Sequence, residues 1–492
     1  MIVHLLYKFN FFFLFFQLFK KNGIYILSLL LVLILTSCNL HNKTVKSNQN
    51  KTHLTDLTSK KKLIALTGNN AYSYFIYKGK TMGFEYELLQ RLSKYLKVDI
   101  EIKVIKSIKE MIEQLKTGKG NLIAFNFTVT KKRKKFLDFT KHLNTTKQVL
   151  VQRLPKNRKK LSADKINKLL IRDPIDLEGK TVYVRHSSAY LTRLKNLSDE
   201  IGSDINIVEA DDSLSIEDLI LKVAKGEIDY TVSDENIALL NKAYLPNIDI
   251  QTHLSFTQKI AWAVNKGDSI LLKKLNNWID SLKKTEDFYV IYDRYYKQRY
   301  YYKYRRKSKF FLSAKGKISL YDNIFKECGQ KFGYDWRLLA AIGYVESQFK
   351  PKAKAWTGAI GIMQLLPETG KHYGATNLLK PKQNICAAVN YIAWLDKFWS
   401  KYIYNNKERI KFILASYNIG FGHVLDAYNL TEKYGANKNV WFGNVEYYLL
   451  KKSNKKYYND NVVKNGYCNC IETVNYVKDV LKKFNEYKQF TK

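Results

Sequence analysis

One stretch of the chain delivers a lone carboxyl at the end of an apolar run: Asp335-Trp336-Arg337-Leu338-Leu339-Ala340-Ala341-Ile342-Gly343-Tyr344-Val345-Glu346-Ser347. Trp336, Leu339, Ile342 and Gly343 recur at three- and four-residue steps, so the spacing predicts a helix buried on one face. Asp335 suits its N-cap, and Pro351 is the expected stop. Lys350 is the one cation within four residues of Glu346. A carboxyl carried by a hydrophobic helix to the rim of a core loses hydration, and its pKa rises until it holds a proton at neutral pH. That is what a general acid requires. The competing reading is a helix-terminal Glu in water.

Three further fragments follow. Gly358-Ala359-Ile360-Gly361-Ile362-Met363-Gln364 places glycines in a loop before an apolar segment with a single amide. Ala415-Ser416-Tyr417-Asn418-Ile419-Gly420 and Glu472-Thr473-Val474-Asn475-Tyr476-Val477 come later. Each is weak alone, but the four in this order, over about 130 residues, resemble the signatures of the soluble-lytic-transglycosylase (goose-lysozyme-like) domain. The resemblance implies an all-α lysozyme-like fold. It also implies cleavage of the β-1,4 bond between N-acetylmuramic acid and N-acetylglucosamine in peptidoglycan. No water is added in that family: the muramyl C6 hydroxyl closes on C1 and leaves a 1,6-anhydro end.

On this resemblance Glu346 is the sole catalytic carboxyl, and Gln364 is an amide that hydrogen-bonds substrate near the scissile bond. Tyr417 steadies the carboxylate or the sugar, Met363 lines the groove, and Ser347, beside the acid, orients the helix end within the substrate-binding set. Tyr476 is expected as wall or core, and Glu472 as structural. The family often carries a Ser where Ala355 stands here, so a hydroxyl contact to the sugar is missing. Physical chemistry agrees with one acid. Ordinary glycosidases need two carboxyls, but when the attacking hydroxyl belongs to the substrate, one group can act as acid and then as base. Glu368, just after Pro367, reads as a helix N-terminal acid.

The elements upstream are of another kind. Residues 61 to 300 alternate short apolar runs with amphipathic helices, such as Lys62 to Thr67, Phe84 to Leu92, Asp99 to Ile105 and Ile108 to Leu115. Leu122 to Asn126 continues the pattern. A second set starts at Asp176 and runs through Ser215 to Lys225 and Asp229 to Asp234, returning by a strand from Gln258 to Val264. Such alternation argues for α/β sheets in two lobes around a cleft. Gly83 to Leu88, Thr128-Val129-Thr130-Lys131-Lys132-Arg133 and Ala261 to Asp268 resemble the family-3 solute-binding (periplasmic amino-acid-binding) domain. The resemblance puts Arg133 on a ligand carboxylate, which a guanidinium fork grips in bidentate fashion. Thr128 and Thr130 would donate hydroxyls to the same group, and Asp234 would take the ammonium. Alternatively, Lys131 to Lys135 is a solvated charge run.

The chain of 492 residues has room for two or three domains, and its 46% apolar content permits full cores. Its 83 Lys and Arg against 44 Asp and Glu give +39. No helix-turn-helix, zinc-finger or RNP pattern accompanies this charge, so no nucleic-acid partner is expected; a diffuse positive field suits an anionic polymer or a membrane surface. Lys20-Lys21, the apolar run from Ile24 to Leu35 and Leu35-Thr36-Ser37-Cys38 describe a secretory signal over residues 1–37. The last four resemble the bacterial lipobox, whose Cys is lipidated, with residues 38–60 as tether. An uncleaved transmembrane helix is the alternative. The expected location is the cell envelope, lipid-anchored, at the outer membrane facing the periplasm.

Cys468 and Cys470 stand too close for a comfortable mutual bridge, no Cys/His spacing suggests a metal, and no cofactor is expected. Lys297 to Lys309 is basic and aromatic and reads as an interdomain connector, with residues 301–316 as linker and 317–492 as the enzyme domain. The whole order resembles that of membrane-bound lytic transglycosylases, with peptidoglycan strands as substrate and a muropeptide or amino acid in a regulatory first domain. A hydrolytic goose-type muramidase, or a binding lipoprotein with a degenerate enzyme domain, are the other readings.

Overall fold

The computed structural model describes residues 62–308 and 317–491. The expected signal segment, Cys38, the tether and the final part of the connector lie outside them.

The first domain holds two five-stranded sheets. In the first, the spatial order is Asp99–Val104, Lys62–Thr67, Leu122–Ile123, Ala263–Asn265, Leu137–Phe139. The first three strands run parallel and Ala263–Asn265 is antiparallel to both of its neighbours. The second sheet runs Asn206–Glu209, Thr181–Val184, Tyr230–Asp234, Gln148–Arg153, Ile248–Asp249. Helices such as Phe84–Leu96 and Ile216–Lys225 bury Leu88, Leu89, Leu92, Leu219, Ile220 and Val223 against the sheets. Ser215 and Asp218 form a reciprocal capping box at the start of the latter.

The expected single strand from Gln258 to Val264 is divided. Gln258–Ile260 pairs with Asn144–Thr146, while Ala263–Asn265 enters the first sheet. Both members of that small ladder lie where the chain passes between the sheets, so the lobes are joined by a two-stranded crossing.

The start of the basic connector is not a free linker. Arg299–Lys307 is a helix packed on the helix Glu235–Tyr244. Tyr302 and Arg305, three residues apart and so on one face, are buried there. The Tyr302 hydroxyl donates to Asn241 Oδ1 at 3.1 Å, and the Arg305 guanidinium stands 5.3 Å over the Phe75 ring. Of this basic, aromatic helix, Tyr302 and Arg305 thus pack inside the domain, the latter by a cation–π contact, while Tyr300, Tyr301 and Tyr304 stay exposed.

The second domain is all helical apart from short loop bridges. Its central helix, Trp336–Ser347, packs between Asp322–Gln330 and Ile471–Phe490. Leu338 to Gly343 are all buried, because no charge interrupts this run and the two flanking helices cover it. Asp335 caps it, accepting the Arg337 N–H at 3.0 Å. The helix ends at Ser347 rather than at Pro351: Gln348 takes φ 55° and its N–H bonds back to the Tyr344 carbonyl at 2.7 Å. A left-handed cap terminates a helix without any proline.

One segment of the first domain belongs to the core of the second. The hairpin Phe75–Tyr77 and Lys80–Met82 carries Ile76, and Tyr74 precedes it; both are buried among the apolar side chains of the helical domain. Tyr74 stacks on Phe490 with centroids 4.8 Å apart, and the Tyr487 hydroxyl donates to the Gly79 carbonyl at 3.0 Å. Gly79 has φ +76°, and a Cβ there would stand 2.5 Å from Phe349 and 2.6 Å from Tyr344. Only glycine admits this approach.

Cys328 and Cys386 form a disulfide linking two helices of the second domain. Cys468 and Cys470 are also paired, contrary to the expectation from their spacing. Their Cα atoms lie 5.4 Å apart, inside the range a bridge can span.

Candidate active site

Glu346 sits in the last turn of the helix Trp336–Ser347. Burial pushes its carboxyl up to about 7, opposed by a hydrogen bond from the Tyr476 hydroxyl to Oε1 at 2.7 Å. Among the described residues no charged side chain bears on that balance. Desolvation holds the Tyr476 and Tyr417 phenols well above their ordinary range, so both remain donors at neutral pH.

The four sequence fragments converge here through hydrogen bonds. Ser347 Oγ donates to the Ile362 carbonyl at 2.8 Å, which ties the end of the acid's helix to the Gly-rich loop. Tyr417 donates to the Met363 carbonyl at 2.7 Å. Thr473 Oγ1 donates to Asn418 Oδ1 at 2.7 Å, joining the last helix to the Tyr-Asn fragment, and Tyr476 on that helix closes the circuit on Glu346. Position is thus fixed from three sides.

The loop carrying Gln364 is held from within. Gly343 lets it close on the helix, since a Cβ there would stand 3.1 Å from Ile362, Met363 and Phe325. Asn384, fully buried, accepts the Met363 N–H at 2.8 Å and donates to the Ile360 carbonyl at 2.9 Å. Gln364 itself adopts φ 45°, a conformation most side chains avoid, and donates Nε2 to the Gly361 carbonyl at 2.8 Å. Its amide nitrogen is engaged with the loop, so its oxygen is the atom it can offer a ligand.

These placements differ from the sequence-based expectation in three respects. Met363, expected on the groove wall, is fully buried in the core, because Gly343 leaves a slot that its side chain fills. Ser347 is buried and bonded to backbone, which orients the helix end and leaves no hydroxyl for substrate. The phenol on the carboxylate is Tyr476, while Tyr417 holds the loop. Asn384 was not singled out from sequence; the available signal was an amide inside the apolar helix Pro381–Trp399.

The cleft of the first domain gathers Arg133, Thr128 and Asp234 with Asn126, Arg185 and Ser188 on its wall. The cavity between the lobes measures about 30 Å³. Arg133 is buried while the lysines flanking it are exposed, so the charge run divides. Its Nη1 donates to the Thr128 carbonyl at 2.9 Å, and its guanidinium lies 3.8 Å from the centroid of Phe127. Burial lowers its pKa to about 10. Thr130 caps the turn Lys131–Lys134 by accepting the Arg133 N–H at 3.2 Å, so it shapes the loop rather than lining the cavity. Burial raises Asp234 to about 6, against a hydrogen bond from Asn126 Nδ2 to Oδ2 at 2.7 Å. Arg185, Asn126 and Ser188 were not anticipated. Arg185 and Ser188 share the loop after the strand Thr181–Val184, while Asn126 follows Leu122–Ile123 in the other lobe, and only the tertiary fold brings the two loops together.

Comparison with known proteins gives the class first. Residues 63–298 match the bacterial extracellular solute-binding proteins, family 3, and residues 323–440 match the transglycosylase SLT domain. The molecule is thus a solute-binding module followed by a lysozyme-like helical one. Over 428 residues the chain is 36% identical to the membrane-bound lytic murein transglycosylase F of Desulfosudis oleivorans, covering 87% of this chain and 90% of that one. The protein of the same name from Pseudomonas fluorescens is 31% identical over 86% of this chain and 84% of its own, and that from Saccharophagus degradans 30% over 89% and 84%. The chain belongs to the membrane-bound lytic murein transglycosylase F family.

Among solved structures, an ArgBP mutant from T. maritima is similar over 50% of this chain and 99% of its own, at 24% identity and TM-score 0.42. No helix among the described residues is long and apolar enough to cross a membrane.

Proposed function

We propose that this chain is a peptidoglycan lytic transglycosylase that cleaves the MurNAc-β-1,4-GlcNAc bond without water, using Glu346 as its only acid and base. The observation that carries the reading is Glu346 itself: a buried carboxyl raised to about 7, held by one phenol, with no second carboxylate acting on it among the described residues. In the first half-reaction protonated Glu346 gives its proton to the glycosidic oxygen as the C1–O bond breaks. The carboxylate so formed, steadied by the Tyr476 O–H, then takes the proton from the muramyl C6 hydroxyl as O6 bonds to C1. Every proton is accounted for and the acid is regenerated. Gln364 offers its amide oxygen to the sugar.

The first domain is a ligand sensor for an amino acid or muropeptide, with Arg133 toward the carboxylate and Asp234 toward the ammonium. The Gly79 hairpin, in contact with Tyr344 and Phe349 beside the acid's helix end, gives the two domains a physical connection. Cys38 is the proposed lipid attachment, holding the enzyme to a membrane of the envelope. Mass spectrometry of digests of purified sacculi tests the chemistry. Anhydro-muropeptides are expected from the parent and at most a trace from Glu346→Gln. Reducing-end products, or substantial activity retained in Glu346→Gln, would overturn the mechanism.

A further inference from the structure

We propose that the cleft of the first domain selects an amino acid bearing a second acidic group, and that Arg185 is the residue that selects it. This rests on the ligand-sensing role proposed above for the domain and adds the chemistry of the ligand side chain.

Charge balance carries the argument. Three ionic side chains form the cavity wall: Arg133, Arg185 and Asp234. A zwitterion with its carboxylate toward Arg133 and its ammonium toward Asp234 brings no net charge, so the half-buried Arg185 guanidinium, its Nε buried on the cavity wall, is left without a counter-charge. A guanidinium whose buried N–H has no acceptor favours a ligand that supplies one. A ligand with one more carboxylate does so. The other buried acids nearby do not. Glu85 and Glu217 are absent from the cavity wall. Burial raises Glu85 to about 8, which leaves it neutral at physiological pH. Glu217 accepts the Ala71 N–H at 3.2 Å, and Arg306 is the cation that acts on it.

The unpartnered atoms are of the right kinds. Buried without a hydrogen-bond partner on this wall are Arg185 Nε and Ser188 Oγ, which can donate to carboxylate, and Asp234 Oδ1 and Asn126 Oδ1, which can accept from ammonium. Ser188 also precedes the helix Ala189–Ile201, whose first N–H groups face anions favourably. Arg185 meanwhile donates Nη2 to the Lys106 carbonyl at 2.6 Å, across the lobes, and Arg133 donates Nη2 to the Ser187 carbonyl at 3.2 Å. A cavity of about 30 Å³ is too small for an amino acid, so the lobes must part to admit one. The ligand replaces these cross-lobe bonds. A carboxylate is a stronger partner for Arg185 than the carbonyl it gives up.

Isothermal titration calorimetry on the full-length protein, with L-glutamate, L-aspartate and D-glutamate against L-glutamine and L-arginine, decides the matter. At least one acid is expected to bind roughly tenfold to a hundredfold tighter than glutamine. Arg185→Gln should erase that preference while glutamine binding persists, and Arg185→Lys should keep part of it; thermal melts of both variants report folding. If the parent binds glutamine or arginine as tightly as the acids, or Arg185→Gln retains the preference, the selectivity is refuted and the sensor reading stands. If the folded parent binds none of these amino acids, the selectivity falls together with the amino-acid form of the sensor reading, and only its muropeptide form stands.

Discussion

Glu346 and Asp234 are both buried carboxyls held above the ordinary range, yet their surroundings equip them for different work. Glu346 ends an apolar helix, with one phenol on Oε1 and no counter-charge. Asp234 ends a strand, with an amide on Oδ2, Arg133 drawing its pKa down and Arg185 on the same wall. A carboxyl near neutrality with no ion beside it can give up and recover a proton in each turnover. One that faces guanidinium groups serves better as a fixed charge. Desolvation raises both; what shares the cavity decides whether the acid is a reagent or an anchor.

The sharpest way to break this contrast is to neutralise each in turn. Glu346→Gln should lower kcat by roughly 10²–10⁴-fold with ligand binding to the first domain intact, measured by product release and calorimetry on the same preparation. Asp234→Asn should do the reverse, weakening amino-acid affinity by roughly tenfold or more while a glycan-saturated enzyme retains basal turnover. If Asp234→Asn removed turnover as completely as Glu346→Gln, the division of roles would be wrong.

Tyr476→Phe should reduce kcat by about tenfold. In the proposed mechanism the protonated form of Glu346 starts the reaction, so activity should fall as pH rises through about 7. The phenol lowers that pKa, and its loss should move the alkaline limb of the pH profile upward. An unmoved limb would show that the hydrogen bond does not govern the acid.

The smallest effect is on stability. A carboxyl raised from 4.5 to about 7 on folding binds more protons in the native state, so its contribution declines as pH climbs across that interval. Glu346→Gln mimics the protonated form at every pH. It should melt a degree or two above the parent at pH 8 and level with it at pH 4.

Much of this was legible along the chain. The apolar run before Glu346 announced its helix and pointed to its desolvation, with Lys350 as the one cation close by in sequence. Arg133 could be told from its lysine neighbours only by resemblance, because it is the single buried position within a five-residue basic run. Which phenol meets the carboxylate was not legible: Tyr417, expected on the carboxylate or the sugar, holds the loop, and Tyr476, expected as wall or core, is buried and also reaches Glu346, because sequence gives no rotation of one helix about another. Met363 was misplaced because the slot that receives it is made by an absence, the missing Cβ of Gly343. Arg185 was invisible for a similar reason. Its importance depends on Lys106 and Asp234, which are 79 and 49 positions away in sequence.

Tyr74 and Ile76, planted by the first domain in the second, have a consequence for taking the protein apart. Neither fragment could be lifted away without uncovering aromatic surface, including the stacked faces of Tyr74 and Phe490. Pieces made by cutting the polypeptide between residues 308 and 317 should therefore be sticky when separate and should reassemble on mixing, as in fragment complementation.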